Sequence, residues 1–147
     1  MSRSRTSGFT LVEMAITILV MGLLIGFSIP AFSKISATYQ LKGATENLAA
    51  QFRIAREKAM ATQSDQPIHI APGSLGVDYH VHYDNGFIPE WGKWKLPRGV
   101  TFYAASSTLP RMLTDGRING SGLVILRDTR GNRDTVSYMA SGLILTK

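Results

Sequence analysis

One carboxylate stands inside the longest apolar run of the chain, where it could do chemistry that its neighbours cannot. The run covers residues 9–29, and Glu13 is the only charged side chain within it. A carboxylate in such a segment is costly wherever water is excluded, so it usually marks a function such as pairing with a positive charge. Gly8 stands at the border of the run. The stretch from Gly8 to Glu13 is therefore the first candidate for a functional site.

Three histidines, His69, His80 and His82, are candidate metal ligands. His80 and His82 lie two residues apart on a predicted strand and therefore point to one face, as two ligands would. No third ligand follows at a suitable spacing, so we predict surface histidines and no metal. The chain has no cysteine, which excludes disulfides, thiolate metal sites and cysteine catalysis.

A turn rich in oxygen ligands offers a second metal interpretation. Asp128, Asn132 and Asp134 fall close together, but three arginines are interleaved with them and the EF-hand spacing is missing. No serine is framed by a nucleophile motif such as Gly-x-Ser-x-Gly. We therefore predict no calcium, no cofactor and no enzymatic activity.

Positive charge is concentrated in residues 91–147. That stretch holds nine Lys or Arg and three Asp or Glu, which accounts for the whole net charge of +6. Such a surface favours an acidic partner, an anionic surface or nucleic acid, or it is simply a solvated face. The candidate phosphate contacts are Arg117, Arg127, Arg130, Arg133 and Lys147. Trp91 and Trp94 could stack on bases or anchor a loop to the core.

A helix must carry Glu13 if the apolar run is one element. Twenty-one residues rise about 30 Å in an α-helix, which equals one bilayer core. Arg3 and Arg5 precede the run and predict that the N-terminus stays in the cytoplasm. We therefore predict a transmembrane helix over residues 9–30. Pro30 predicts a kink, because proline lacks an N–H and clashes with the preceding turn.

Three interpretations of this segment compete. A secretory signal peptide would have Arg3 and Arg5 as its basic start and a cleavage site at Ala31-Phe32-Ser33, although the run is long for such a peptide and contains an acid. A plain single-span anchor leaves Glu13 unexplained. The third interpretation is the leader of a prepilin.

The prepilin interpretation rests on a resemblance. Ser7-Gly8-Phe9-Thr10-Leu11-Val12-Glu13 is similar to the sequence at which prepilin peptidase cuts type IV pilins. The resemblance implies cleavage between Gly8 and Phe9 in the cytoplasm and methylation of the new amino group on Phe9. It also implies that Glu13 faces the ammonium of a neighbouring subunit and sets the register of assembly, and that Pro30 loosens the helix. Glycine suits the cut because it has no side chain to block the peptidase.

Beyond Pro30 the pattern changes from helix to strand. Apolar residues recur at spacings of three and four, so we predict one helix from about Thr10 to Thr62 whose second half is amphipathic. The stripe comprises Leu41, Ala44, Leu48, Phe52, Ala55 and Ala59. The predicted strands are 68–71, 75–83, 99–104, 123–127, 135–139 and 143–146, with a loop over 105–122. The predicted fold class is α+β, a long helix packed on an antiparallel sheet.

This architecture resembles the pilin fold and, within it, the GspH/FimT family. The resemblance lies in Asn47–Ala59, in Gln66-Pro67-Ile68 and in the terminal pattern of strand, Asp128-x-x-Gly131, strand, Ser141-Gly142. It implies three parts: a leader (1–8), a transmembrane and filament-core helix (9–30) and a periplasmic domain (31–147).

The resemblance implies a structural function. The chain would be a minor pilin or pseudopilin of a type IV pilus or type II secretion system, anchored once in the bacterial inner membrane with its domain in the periplasm. Its partners would be prepilin peptidase, other pilins or pseudopilins, and the inner-membrane assembly platform. The alternative is a FimT-like minor pilin that binds DNA for uptake. Family members that bind DNA carry Gly-Arg-x-Arg near the end, whereas this chain has Gly142-Leu143-Ile144-Leu145.

Overall fold

The computed structural model of the chain describes residues 9–70, 78–81 and 91–147. One helix, α1, spans Leu11–Thr62, and strands follow it through the described ranges. The strands are β1 (Gln66–Ile70), β2 (Tyr79–Val81), β3 (Trp91–Trp94), β4 (Val100–Ala105), β5 (Arg111–Met112), β6 (Gly122–Asp128), β7 (Arg133–Tyr138) and β8 (Ile144–Thr146). The chain divides into two compact units, of which one ends at Ser36 and the other runs from Ala37 to Lys147.

Helix α1 has the bounds that its sequence pattern predicted, to within one residue. Gln63 follows it with a φ of 50°, the left-handed conformation in which helices commonly stop. The helical backbone runs through Pro30. The kink predicted at that residue stays a prediction.

The second half of α1 is held to the strands by its apolar stripe. All the residues predicted for that stripe are buried: Leu41, Ala44, Leu48, Phe52, Ala55 and Ala59. Thr45 and Ala49 are buried beside them, and the Thr45 hydroxyl donates to the Leu41 carbonyl oxygen at 3.0 Å, which satisfies it within the helix. The three- and four-residue spacing therefore identified the buried face correctly.

The strands form two antiparallel sheets of four rather than the one sheet expected. The first sheet has the order β3-β2-β1-β5, and the second has the order β4-β6-β7-β8. The chain first leaves the first sheet at the turn before β4, where Gly99 has a φ of 84° and the Val100 amide donates to the Pro97 carbonyl. It returns to the first sheet for β5 and then enters the second sheet again at β6. Antiparallel pairing was predicted correctly, but the sequence held no signal for the division.

Two short strands were not predicted. Strand β3 was missed because Gly92 interrupts it, with a φ of 69° and the Trp94 ring lying over its Cα. Strand β5 has two residues and lies within the predicted loop 105–122. Of the predicted strand 75–83, Tyr79–Val81 is observed, and the rest lies outside the described residues.

Side chains from the helix and both sheets make one core within the unit that starts at Ala37. Phe52 of α1 packs against Tyr138 of β7, with ring centroids 5.6 Å apart. Tyr79 of β2 stacks on Trp94 at 5.2 Å and meets the edge of Phe102 at 6.2 Å. The helix therefore supports the inner face of the second sheet, and the alternate side chains of that sheet point away from it.

Candidate functional site

Thr10 caps the start of helix α1, and Thr10-x-x-Glu13 has the sequence pattern of a capping box. The Glu13 amide donates to Thr10 Oγ1 at 3.2 Å, and the Met14 amide donates to the Thr10 carbonyl oxygen at 3.2 Å. Threonine followed three residues later by glutamate is the pattern that satisfies the free amides of a first helical turn. The carboxylate also lies at the positive end of the helix dipole. The Thr10 cap was not predicted, although the pattern Thr10-x-x-Glu13 was its signal.

The predicted cleavage site lies just before this box. Gly8 is outside the described residues, and Phe9 precedes the helix with its side chain 78% exposed. A peptidase needs non-helical backbone at the bond it cuts. The described side of the Gly8–Phe9 bond meets this condition, because the helix begins only at Leu11.

The first turns of α1 expose every large apolar side chain that they carry. From Phe9 to Phe27 these side chains are between 47% and 86% exposed. A helix that is apolar on all sides is normally covered by lipid or by other protein. Within the described ranges, no helix meets the combined length and hydropathy needed to cross a membrane.

Three of the five predicted phosphate contacts lie together on the β6–β7 hairpin. Arg127 and Arg133 are direct partners across the two strands, and Arg130 lies in the turn between them. Beside this turn is a hollow of about 480 Å³ lined by Gly99, Thr101, Arg127, Asp128, Thr129, Arg130 and Gly131. The guanidinium carbons of Arg127 and Arg133 lie 5.1 Å and 3.9 Å from the ring centroid of Tyr103. Tyr103 was not predicted as part of the site.

The other two predicted contacts lie elsewhere. Lys147 exchanges backbone hydrogen bonds with Thr135, one row further along the sheet than Arg133. Arg117 follows Gly116, which packs against Gly142 beyond the far end of β7. Tyr138 at that end lies five residues from Arg133 along the strand, which is roughly 16–17 Å. The sequence therefore grouped Arg117 with side chains that the topology keeps apart from it.

The outer face of the second sheet is defined here by three rows of paired residues. The first row is Thr101, Arg127 and Arg133; the second is Ile125, Thr135 and Lys147; the third is Leu123, Ser137 and Leu145. The side chains between these rows, such as Val124 and Val136, are buried on the inner face. One surface thus joins a basic end to an apolar end.

Asp128 is committed to the hairpin turn. Its Oδ1 accepts the amides of Arg130 and Asn132, each at 2.9 Å, and its Oδ2 accepts Asn132 Nδ2 at 2.8 Å. The Asn132 side chain is the main cause of a lowered pKa of the Asp128 carboxyl, and the two amides add to it. Asp134 Oδ1 accepts the Thr135 amide at 2.9 Å. These oxygens shape the turn and are not arranged around an ion.

The histidines differ from the expectation of a strand surface. His80 is 1% exposed, and its Nε2 lies 3.3 Å from Nδ1 of His69, its partner on β1. The prediction of surface histidines is therefore wrong for His80, because β2 is an inner strand covered on both faces. His82 lies outside the described residues. Within the described ranges, no three His, Cys, Asp or Glu side chains cluster as a metal site requires.

Trp94 anchors β3 to the core through its stacking on Tyr79. The face of the indole that would stack on a base is thus in contact with protein. Trp91 belongs to the same strand.

Comparison with known proteins found one match to the N-terminal segment and one to the fold. Residues 3–29 match the family described as the prokaryotic N-terminal methylation motif. A search of curated protein sequences found no significant match. The fold is similar to that of the minor pseudopilin EpsH from the Type 2 Secretion System of Vibrio cholerae, with a TM-score of 0.55, 10% identity, and coverage of 74% of this chain and 96% of that one. The chain thus joins a prepilin-type methylation motif to a pilin-like α+β fold similar to that of a minor pseudopilin.

Proposed function

We propose that the chain is a minor pilin or pseudopilin that is cut between Gly8 and Phe9 by prepilin peptidase, methylated on Phe9, and assembled through helix α1 into a filament or its tip. The observation that carries the proposal is the exposure of all the large apolar side chains from Phe9 to Phe27, directly behind the proposed cut. Such a surface is stable only when lipid or neighbouring helices cover it.

Glu13 supplies the specificity of this assembly. Cleavage creates a positive amino group on Phe9, and methylation keeps it charged. In a stack of parallel helices the Glu13 carboxylate of one subunit can meet the Phe9 ammonium of the next. Each charge is costly in an apolar environment without the other, so the pair favours one axial register, as a buried polar residue does in a coiled coil.

The proposed route places the chain in the bacterial inner membrane before assembly. Arg3 and Arg5 hold the N-terminus in the cytoplasm, where the peptidase acts, and the domain lies in the periplasm. The inner-membrane assembly platform then transfers the processed subunit into the filament. The filament is that of a type II secretion system or of a type IV pilus.

Mass spectrometry of the mature N-terminus tests the proposal. The chain is expressed in a host with prepilin peptidase and recovered from membranes, and the expected terminal residue is N-methylated Phe9. A chain that keeps Met1, or one that is cut in the Ala31-Phe32-Ser33 stretch, contradicts the proposal. The second outcome would identify a secretory signal peptide.

A second candidate function is the binding of DNA during uptake. The observation in its favour is the pairing of Arg127 with Arg133 beside Tyr103, since guanidinium groups bind phosphates and an exposed ring can stack on a base. A mobility-shift assay would compare the chain with a variant that carries Arg130→Glu and Arg133→Glu. Absence of a shift at low salt, where the phosphate contribution is greatest, rejects this function.

A further inference from the structure

The outer face of the second sheet carries a like-charge pair that the described part of the fold does not balance. Arg127 and Arg133 are direct cross-strand partners, and like charges in that arrangement oppose folding. In the described ranges, the salt bridge observed joins Arg111 to Asp65 at 3.9 Å and involves neither of them. Two acids are next to them in sequence. The Asp128 carboxylate accepts hydrogen bonds within the turn, and the Asp134 carboxylate accepts one from the Thr135 amide. The pair therefore presents positive charge to an anion from outside.

Tyr103 holds both guanidinium groups in place. Its ring centroid lies 3.9 Å from the Cζ of Arg133 and 5.1 Å from that of Arg127. A ring face attracts a cation without neutralising it. The ring thus orders the arginines and leaves their N–H groups available for a carboxylate, which an arginine binds with two parallel hydrogen bonds.

The same face becomes apolar towards its third row. Leu123 is 39% exposed and Leu145 is 47% exposed, and they flank Ser137 from either side. None of the nine residues in the three rows is acidic. Arginine and tyrosine are enriched at protein–protein interfaces and carboxylates are depleted there, and the two exposed leucines add apolar area to this face.

We infer that the outer face of the second sheet docks a protein surface that carries carboxylates beside apolar side chains. The carboxylates meet Arg127 and Arg133, and the apolar side chains cover Leu123 and Leu145. A nucleic acid would use the first row but gain nothing from the third, because phosphates bind positive charge and not leucine. This inference rests on the proposed function, in which the chain is a subunit that assembles with other proteins.

Peptide binding tests the inference. The full chain is placed in lipid nanodiscs, and fluorescence anisotropy is measured at low salt, with empty nanodiscs as the blank. The probe is a short synthetic peptide that alternates Glu and Leu. Matched peptides replace every Glu by Gln or every Leu by Ser, and a single-stranded oligothymidylate is measured alongside. The expected result is that the Glu–Leu peptide binds best and that salt weakens it.

Variants identify the face. The Arg127→Gln, Arg133→Gln double variant and the Leu145→Ser variant should each weaken binding of the Glu–Leu peptide at least about tenfold. Arg117→Gln, at the far end of β7, should leave binding unchanged. Glu13→Gln should also leave it unchanged, so that a failure of helix assembly is distinguished from a failure of docking. Thermal melting confirms that each variant folds, and loss of the like-charge pair in the double variant should not lower the midpoint.

Three outcomes overturn the inference. The first is that the Glu–Leu peptide does not bind at low salt. The second is that the peptide with Ser in place of Leu binds equally well, which reduces the face to a general anion site. The third is that oligothymidylate binds more tightly than the peptide and loses affinity in the arginine variant but not in Leu145→Ser, which assigns the face to nucleic acid.

Discussion

Arg56 of helix α1 donates a hydrogen bond from its Nε to the carbonyl oxygen of Gly116, at 2.6 Å. Gly142 makes this contact possible, because a Cβ at that position would lie 2.3 Å from the Gly116 oxygen and 2.6 Å from Arg56 Nε. Arg53, one turn earlier on the helix, donates to the carbonyl oxygen of Ile144 at 3.2 Å. Two arginines thus tie the helix to the β5–β6 loop and to strand β8, in a chain that has no disulfide.

Gly142→Ala should destabilise the domain more than Gly131→Ala does, although the two glycines have nearly the same backbone angle. The positive φ of 87° costs about 1–3 kcal/mol for alanine, and the clash with Gly116 and Arg56 adds to that cost. The free energy of unfolding is measured by chemical denaturation. Gly131→Ala is the matched control, since its φ is 88° and nothing lies within 4 Å of the added Cβ. Equal effects of the two changes would show that the Arg56 contact contributes nothing to the difference.

The sequence predicted those features of the fold that are local. The spacing of Leu41 to Ala59 identified the buried face of α1, because a helix repeats every 3.6 residues whatever it packs against. The end of the helix at Thr62 was predicted because the polar stretch 63–67, which ends in a proline, favours a turn. Strand β3 was missed because Gly92 interrupts it. Strand β5 was missed because its strand character comes from pairing with β1, which a single stretch of sequence does not show.

The candidate basic site was predicted only in part, for a topological reason. Three of the arginines are near each other in sequence, so they could be grouped without knowledge of the fold: Arg127, Arg130 and Arg133. The direct pairing of Arg127 with Arg133 depends on a tight turn between Asp128 and Arg133, whereas the strand after the turn was predicted to begin only at residue 135. Tyr103 belongs to β4 and lies beside these arginines only because β4 pairs with β6 in the sheet. Arg117 lies apart from these three arginines, because its position depends on the path of β7.

The β6–β7 hairpin should lose stability in acid because of Asp128. Its pKa in the folded chain is lowered, chiefly by the Asn132 side chain and further by the two amides of the turn. The stability that it contributes is therefore present above its unfolded pKa of about 3.9 and is lost as the pH falls through the lower folded pKa. Thermal unfolding followed as a function of pH measures this. Asp128→Asn should flatten the acid side of the profile.

Asn132→Ala is the companion change to Asp128→Asn. It removes the main cause of the lowered Asp128 pKa, so the loss of stability in acid should be smaller than in the unaltered chain and complete at a higher pH. An acid profile that is the same in all three proteins would mean that other carboxyls control it.

Tyr79 should make the domain sensitive to alkali. Burial, with the Asp78 carboxylate as a second cause, raises the pKa of its phenol to about 12. A raised folded pKa means that the contribution is fully present below the unfolded pKa of about 10 and is lost as the pH rises from 10 towards 12. The corresponding contribution is about 2–3 kcal/mol.

Denaturation at rising pH, with phenolate absorbance followed in parallel, measures this contribution of Tyr79. Tyr79→Phe keeps the stacking on Trp94 and should remove this part of the alkaline loss; an unchanged alkaline limb in that variant would refute the assignment.

Glu13→Gln separates the two roles that Glu13 holds, because glutamine keeps the capping pattern with Thr10 and loses the charge. Glutamine at this position of a capping box can still bond back to the first turn, so α1 should begin at the same residue. Cleavage at Gly8 should proceed, whereas incorporation into filaments should fall sharply, since the Phe9 ammonium then has no carboxylate to meet. Immunoblotting of sheared filaments and of membranes measures the two fractions.

Glu13→Asp keeps the charge but shortens the side chain, and it should restore part of the incorporation. Thr10→Ala removes the cap and keeps the charge, so it should weaken the start of the helix by about 1 kcal/mol and reduce incorporation less than Glu13→Gln does. If Thr10→Ala and Glu13→Gln are equally defective, the acid acts through the helix start. If Glu13→Gln alone is defective, the charge sets the register between subunits, as the proposed function requires.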